Sequence, residues 1–206
     1  MSQPIRPLTH LRHVGLGVPD LAVAREFYTN LWGLEIVEED SGIVFLASPA
    51  SPENYIIRLR ESANKRLDLV SFAGLDAAAV DALATRLGTA GVQIDREPAT
   101  LDTPGGGYGF RFFDIDGRLV EVSADVAQKP YRELEPGEPI PQKLSHVVFN
   151  STDVLATKGF YEQHLGFALS DWLADIMCFL RTSPQHHSIA ISHGPQPHLV
   201  RDAGYR

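Results

Sequence analysis

The sequence predicts an α+β fold made of duplicated βαβββ modules, in which the second domain is incomplete. Three observations predict it. First, several residues of the segment 11–60 are repeated identically 133 positions later. Second, a proline-rich stretch at 128–142 divides the chain. Third, short apolar runs alternate with helical patterns on both sides of that stretch. A chain of 206 residues is long enough for one large domain or two small ones.

The repeat is clearest at Leu11-Arg-His-Val14, which returns as Leu144-Ser-His-Val147. Nine positions are identical at this offset, where composition alone gives roughly three or four, and this indicates a duplicated unit. Beyond the opening segments the identical pairs are Asp20 and Asp153, Phe27 and Phe160, Tyr28 and Tyr161, Gly33 and Gly166, Ile43 and Ile176, and Ile56 and Ile189.

Each unit begins with an apolar run that carries one histidine, at His13–Val18 and His146–Phe149, and such runs are typical of buried strands. An aspartate then stands where it would cap a helix, because a carboxylate accepts hydrogen bonds from the free amides of a first turn. Apolar residues at helical spacing follow, and a glycine ends each helix. In the first unit these apolar residues are Leu21, Ala24, Phe27, Tyr28 and Leu31.

The remaining elements follow from apolar runs between turn residues. In the first unit we expect strands at 35–38, 42–47, 55–59 and 67–73, a helix at 76–88, and strands at 109–113 and 119–123. In the second unit we expect strands at 168–170, 177–181 and 187–192. We therefore predict a two-module domain without a metal site at 1–127, a surface linker at 128–142 and a truncated domain at 143–206.

Composition excludes several classes of protein. The net charge of −8 argues against a nucleic-acid partner, which needs an excess of Lys and Arg. No apolar run reaches the roughly 20 residues that span a bilayer, and the first residues lack the apolar core of a secretory signal. The single cysteine, Cys178, excludes an internal disulfide and a zinc site of thiolates alone. We expect a soluble, cytoplasmic protein.

Several motifs together resemble the vicinal oxygen chelate superfamily, and within it the type I extradiol ring-cleavage dioxygenases such as catechol 2,3-dioxygenase. The resemblance implies the glyoxalase/bleomycin-resistance/dioxygenase fold. The segments that carry it are Lys143-Leu-Ser-His-Val-Val-Phe-Asn150, Phe160-Tyr161, Leu165-Gly-Phe167, Gln185-His-His-Ser-Ile-Ala-Ile191 and Phe112-Phe-Asp-Ile-Asp-Gly-Arg-Leu-Val-Glu121.

This resemblance implies one Fe(II) ion (or Mn(II)), held by two histidines and a carboxylate, with positions left open for a catechol-like molecule and O₂. It also implies a nearby histidine that exchanges protons with the substrate, since imidazole titrates near neutral pH. Missing strands would leave a sheet edge unpaired, so we expect a homo-oligomer, with a disordered tail or a missing segment as the alternatives.

Residue by residue, His146 matches the family's first metal ligand and His187 its acid–base histidine. A core histidine is the alternative role for His146, and His186 is the solvated neighbour of His187. The second histidine ligand has no clear match, and His198 and Asp202 are the candidates. The carboxylate ligand has no counterpart in this chain.

The first unit offers His13 on its first strand and Glu121 on its last, with Leu69 at the intermediate ligand position. We expect His13 and Glu121 to be a hydrogen-bonded remnant without a metal.

Three functions remain open at this point. The first is an Fe(II)-dependent extradiol dioxygenase, for which we expect this chain by itself to have little or no activity. The second is a non-enzymatic family member that binds a small aromatic molecule or a partner chain. The third is a lyase or isomerase of the same superfamily.

Overall fold

The computed structural model of the chain describes residues 7–195. The first unit contains eight strands and two helices. They are β1 (Leu8–Val18), α1 (Leu21–Glu26), β2 (Glu35–Asp40), β3 (Ile43–Ala47), β4 (Ile57–Glu61), β5 (Arg66–Gly74), α2 (Ala77–Thr89), β6 (Ile94–Thr100), β7 (Tyr108–Phe113) and β8 (Leu119–Ala124).

The second unit follows residues 125–146, which contain no helix or strand. Its elements are β9 (Val147–Ser151), α3 (Val154–Leu165), β10 (Ala168–Leu173), β11 (Met177–Arg181) and β12 (Ile189–His193). The mixed α+β class is confirmed, with two sheets and few helices.

Sheet topology shows the modular plan directly. The first sheet has the order β2-β3-β4-β1-β5-β8-β7-β6, and the second has β10-β11-β12-β9. In each βαβββ module the first strand runs parallel to the last one, and the remaining pairs are antiparallel. The first sheet therefore joins two modules through the antiparallel pair β1–β5, and the second sheet reproduces the first of them.

Aspartate caps start the helices as predicted. The Asp20 and Asp153 carboxylates each accept a hydrogen bond from the backbone N–H three residues later, at 2.9 Å. At the other end of α3, Gly166 has φ of 74°, a left-handed conformation that glycine adopts without strain. The first helix is shorter than predicted, because α1 passes into a π-helical turn at Phe27–Leu31.

One continuous apolar core extends through both units. The ring centroids of Phe72 and Phe167 lie 5.4 Å apart, and those of Phe112 and Phe160 lie 6.4 Å apart. A polar cluster reinforces this contact. The Asp114 carboxylate accepts hydrogen bonds from Tyr161 Oη at 2.9 Å and from Arg118 Nη1 at 2.7 Å, and all three residues are buried.

Some sequence predictions need correction. Strand β6 was missed, because Pro98 interrupts its pattern; β6 lies at the sheet edge and is bulged, where a proline is tolerated. The offset of 133 residues also no longer aligns the two units at the last strand of the module. Val14 pairs with Ile57 as Val147 pairs with Ile189, so Ile57, not Ile56, corresponds to Ile189.

Candidate functional site

The second unit brings two of the predicted residues together. His146 directly precedes β9, and His187 stands two residues before β12, the parallel neighbour of β9. Their ring centroids are 4.4 Å apart, with the rings inclined at 48°. Phe179 of β11 also packs against His187, at 5.0 Å between centroids. The structure thus brings the two histidines into contact.

This group of rings lies at a surface. His146 is exposed and His187 is half-buried. Val148 and Asn150 are exposed as well, whereas Phe149 and Ser151, which alternate with them along β9, are buried. Because successive side chains of a strand point to opposite faces, His146 belongs to the open face of the sheet and not to the face covered by α3.

The two histidines have different electrostatic environments. Burial lowers the pKa of His187, and the nearby His146 and His186 lower it further. His187 Nδ1 lies 2.8 Å from His186 Nδ1, so one of these nitrogens donates and the other accepts. Ser145 Oγ lies 3.0 Å from His146 Nδ1. Both imidazoles of the pair therefore already have a polar neighbour that orients them.

The first unit contains the same ring arrangement with one substitution. His13 and Tyr55 have ring centroids 4.4 Å apart at 45°, and Phe45 packs on Tyr55 at 4.8 Å. The strand registers make these residues the counterparts of His146, His187 and Phe179. Tyrosine in the first unit thus stands where the second unit has its candidate acid–base histidine.

In the first unit the second module closes the site. Ser71 of β5 is the register partner of both His13 on β1 and Glu121 on β8. Ser71 Oγ donates to Glu121 Oε1 at 3.0 Å, and Arg111 Nε donates to Glu121 Oε2 at 2.8 Å. Ser71 thus stands directly opposite His13, and Leu69, the position matched to the intermediate ligand, lies on the same face of β5, opposite Gly15.

The prediction that His13 and Glu121 form a hydrogen bond is wrong. His13 Nε2 lies 3.8 Å from Glu121 Oε1, and its nearer partner is Tyr55 Oη at 3.4 Å. Burial lowers the pKa of His13 to about 4, so the ring is neutral at pH 7. Burial opposes the charge of Glu121, but its charged and hydrogen-bonding neighbours outweigh burial and lower the pKa of the carboxyl.

The space beside His13 is nearly filled. A cavity of about 10 Å³ lies among Arg12, His13, Tyr55, Glu121 and Ser123. That volume is at the lower limit for one water molecule. The His13 imidazole is neutral, the Glu121 carboxylate is bound by Arg111, and the cavity has no room for a substrate. The first unit therefore has a structural core at this position.

The described residues supply only part of a metal site. No group of three or more His, Cys, Asp or Glu side chains within residues 7–195 is arranged to hold a metal ion. The predicted ligand candidates His198 and Asp202 lie outside the described residues. His146 and its neighbour His187 are thus the predicted site residues that the structure brings together.

Residues 10–122 match the model of the Glyoxalase/Bleomycin resistance protein/Dioxygenase superfamily. The chain belongs to this superfamily. The sequence signal that carried the resemblance, a strand-borne histidine followed by an Asp-capped helix, is thereby confirmed.

Individual relatives show how far the similarity extends. The chain is 28% identical over 210 residues to metapyrocatechase 2 of Cupriavidus necator, a match that covers 92% of this chain and 63% of the relative. It is 43% identical to a Mn(II)-bound glyoxalase from Novosphingobium aromaticivorans, with a TM-score of 0.90 and coverage of 92% and 63%.

Homoprotocatechuate 2,3-dioxygenase of Arthrobacter globiformis shares the fold at 23% identity and a TM-score of 0.81, with 94% of this chain and 62% of that chain covered. The chain thus spans somewhat less than two thirds of the length of these proteins. None of the helices in the described part is long and apolar enough to cross a bilayer.

Proposed function

We propose that the chain is an extradiol-dioxygenase-type member of the superfamily, and that its second unit provides one wall of the site for a catechol-type ring. The observation that carries the proposal is the contact between the exposed His146 and the half-buried His187 on the open face of a sheet. In the first unit the equivalent rings are buried and blocked. The similarity to metapyrocatechase 2 over 92% of the chain supports the same class.

In this proposal His146 is one ligand of an Fe(II) or Mn(II) ion, and His187 handles a proton at the substrate. A neutral imidazole nitrogen suits both roles. The lowered pKa of His187 keeps the ring unprotonated at neutral pH, so that it accepts a proton from a substrate hydroxyl. Phe179 packs against the His187 ring and limits its rotation.

The described residues do not make a complete metal site. One secure imidazole ligand falls short of the two histidines and one carboxylate that a facial Fe(II) site requires. We therefore propose that the 206-residue chain alone has little or no ring-cleavage activity, and we route no step of the reaction through a metal.

Oxygen uptake with catechol tests this directly, after the chain has been loaded with Fe(II) under anaerobic conditions. We expect no uptake above that of free Fe(II), and robust turnover by the chain alone would overturn the impairment. A fusion to the part of the Novosphingobium glyoxalase that the match leaves uncovered should restore turnover if the second unit is competent.

Two variants of that fusion locate the chemistry. His146→Ala should abolish both turnover and the binding of stoichiometric iron. His187→Ala should retain iron and lose about 10²–10⁴-fold in kcat, the usual contribution of a general acid–base group. Equal kcat for the fusion and its His187→Ala variant would remove His187 from the mechanism.

A glyoxalase-type isomerase or lyase is the second candidate. It is favoured by the 43% identity to the Mn(II)-bound glyoxalase, which exceeds the identity to metapyrocatechase 2. The same fusion separates the two classes, because isomerisation of a hemithioacetal consumes no oxygen. Turnover of a hemithioacetal without any turnover of catechol would assign the chain to this second class.

A further inference from the structure

The small cavity beside His13, in the first unit, brings three polar side chains together. Arg12 and His13 of β1 and Ser123 of β8 are among the residues that line it. The register of β1 against β5 shifts between Leu11 and His13, and such a bulge re-aims side chains, so that two consecutive residues reach the same cavity. His13 and Ser123 are buried, and the Arg12 side chain is only 11% exposed.

Each of these three residues has a buried polar atom without a hydrogen-bond partner among residues 7–195. The atoms are Arg12 Nε, His13 Nδ1 and Ser123 Oγ. Buried polar groups are paired in most proteins, because an unpaired group gives up its hydrogen bonds to water and gains none in return. Three such atoms on residues that line one cavity indicate a common partner inside it.

The three atoms differ in what they offer to that partner. Arg12 Nε–H is a donor only, and Ser123 Oγ can donate or accept. Burial lowers the pKa of His13 to about 4, so one ring nitrogen is bare at neutral pH. His13 Nε2 lies 3.4 Å from Tyr55 Oη and 3.8 Å from Glu121 Oε1. A carboxylate near Nε2 favours the proton there, which makes Nδ1 the acceptor.

A water molecule matches this combination of a donor, an acceptor and a hydroxyl. We propose that the first unit binds one internal water molecule in this cavity, which accepts a hydrogen bond from Arg12 Nε and donates to His13 Nδ1 and Ser123 Oγ. Three hydrogen bonds are typical of a buried water, and the cavity of about 10 Å³ is the size of one. The site is independent of the proposed function, which concerns the second unit.

Charge and volume disfavour an ion as the occupant. The carboxylate of Glu121 lines the same cavity and would repel an anion, and the bare His13 Nδ1 has no proton to offer one. The Arg12 guanidinium would in turn repel a metal cation. Water is neutral and small, and it both donates and accepts, so it satisfies all three atoms.

The cavity is enclosed by the loop 103–107 and by Val126, which also contribute to its lining. A side-chain carbon placed at Gly107 would lie 2.7 Å from Val126 Cγ2 and 2.7 Å from the Ala124 carbonyl oxygen, so the loop backbone packs directly on the chain that follows β8. Exchange of the water with solvent therefore requires this loop to move away from Val126, and we expect slow exchange.

Diffraction from crystals of the 206-residue chain, grown with bromide in place of chloride, tests the identity of the occupant. We expect a peak of the height of one water molecule at about 2.7–3.2 Å from Arg12 Nε, His13 Nδ1 and Ser123 Oγ, without anomalous signal. An empty cavity, or an anomalous peak from bromide or a metal at this position, would overturn the proposal.

Oxygen-17 relaxation dispersion of the solvent counts slowly exchanging water molecules in solution. Ser123→Val replaces the hydroxyl by methyl groups that fill the cavity, and it should lower this count by one per chain. Ser48→Val is the matched control with an unchanged count, because Ser48 is equally buried and does not line the cavity. A wild-type count in Ser123→Val would contradict the proposal. The diffraction experiment needs no variant, so it decides the question even if Ser123→Val does not fold.

Discussion

The two units place three equivalent aromatic rings in nearly the same positions, although a tyrosine in one replaces a histidine in the other, and only one arrangement is open. His13, Tyr55 and Phe45 are buried under a second module that contributes Ser71, Arg111 and Glu121. His146, His187 and Phe179 have the same spacing on a sheet whose open face, within the described residues, no module covers. The comparison teaches that a single βαβββ module positions the rings, whereas the neighbouring module decides whether they become a core or a site.

The largest effect should come from separating the two units. In Asp114→Ala the buried Arg118 guanidinium loses one of its two carboxylate partners, since Arg118 Nη1 also donates to Asp116, and Tyr161 Oη loses its acceptor. Loss of a buried acceptor that serves a charged donor and a hydroxyl should destabilise the protein by about 3 kcal/mol. Denaturant unfolding of the variant should show this loss, with the second unit unfolding first if it depends on the first unit for support.

The control for this variant is an ion pair on α3, the helix that carries Tyr161. Lys158 Nζ lies 2.7 Å from Glu162 Oε2, and both side chains remain partly exposed. Lys158→Ala should therefore cost at most about 0.5 kcal/mol. Equal losses for Asp114→Ala and Lys158→Ala would show that the buried cluster does not join the units.

An effect of intermediate size is the pH dependence of stability that the buried His13 ring causes. His13 has a folded pKa of about 4, well below the ordinary value of 6.5, because burial disfavours the charged ring. Between these two values the unfolded chain binds a proton that the folded chain does not, so stability is lost as pH falls. From pH 7 to pH 5 this amounts to about 2 kcal/mol.

Replacing the titratable ring tests that sign. Between pH 7 and pH 5 the free energy of unfolding should fall in both proteins. The fall should be about 2 kcal/mol smaller in His13→Asn than in the wild type. Leu155→Ala, which removes no titratable group, should keep the wild-type dependence. An unchanged dependence in His13→Asn would mean that another buried group accounts for the loss.

The sequence predicted the modules well and the site only in part. Local signals sufficed for the capped helices and for His146 and His187, because a strand, a helix cap and a repeat are written in consecutive residues. Ser71 was missed because its position opposite His13 depends on the β1–β5 register, which no local pattern contains. The bulged edge strand β6 was missed because Pro98 reads as a break in the pattern.

The smallest expected effect on stability is that of replacing His146, which differs from its counterpart His13 in burial. His146 is exposed, and its alternation with buried residues places it on the open face, so His146→Ala should change the free energy of unfolding by no more than about 0.5 kcal/mol in the absence of metal. His13 is 2% exposed and packs on Tyr55, so His13→Ala leaves a cavity and should cost several times more. Matched denaturation curves at pH 7 measure both. A large loss for His146→Ala would mean that the open face is part of the core, and the contrast between a closed and an open half would no longer hold.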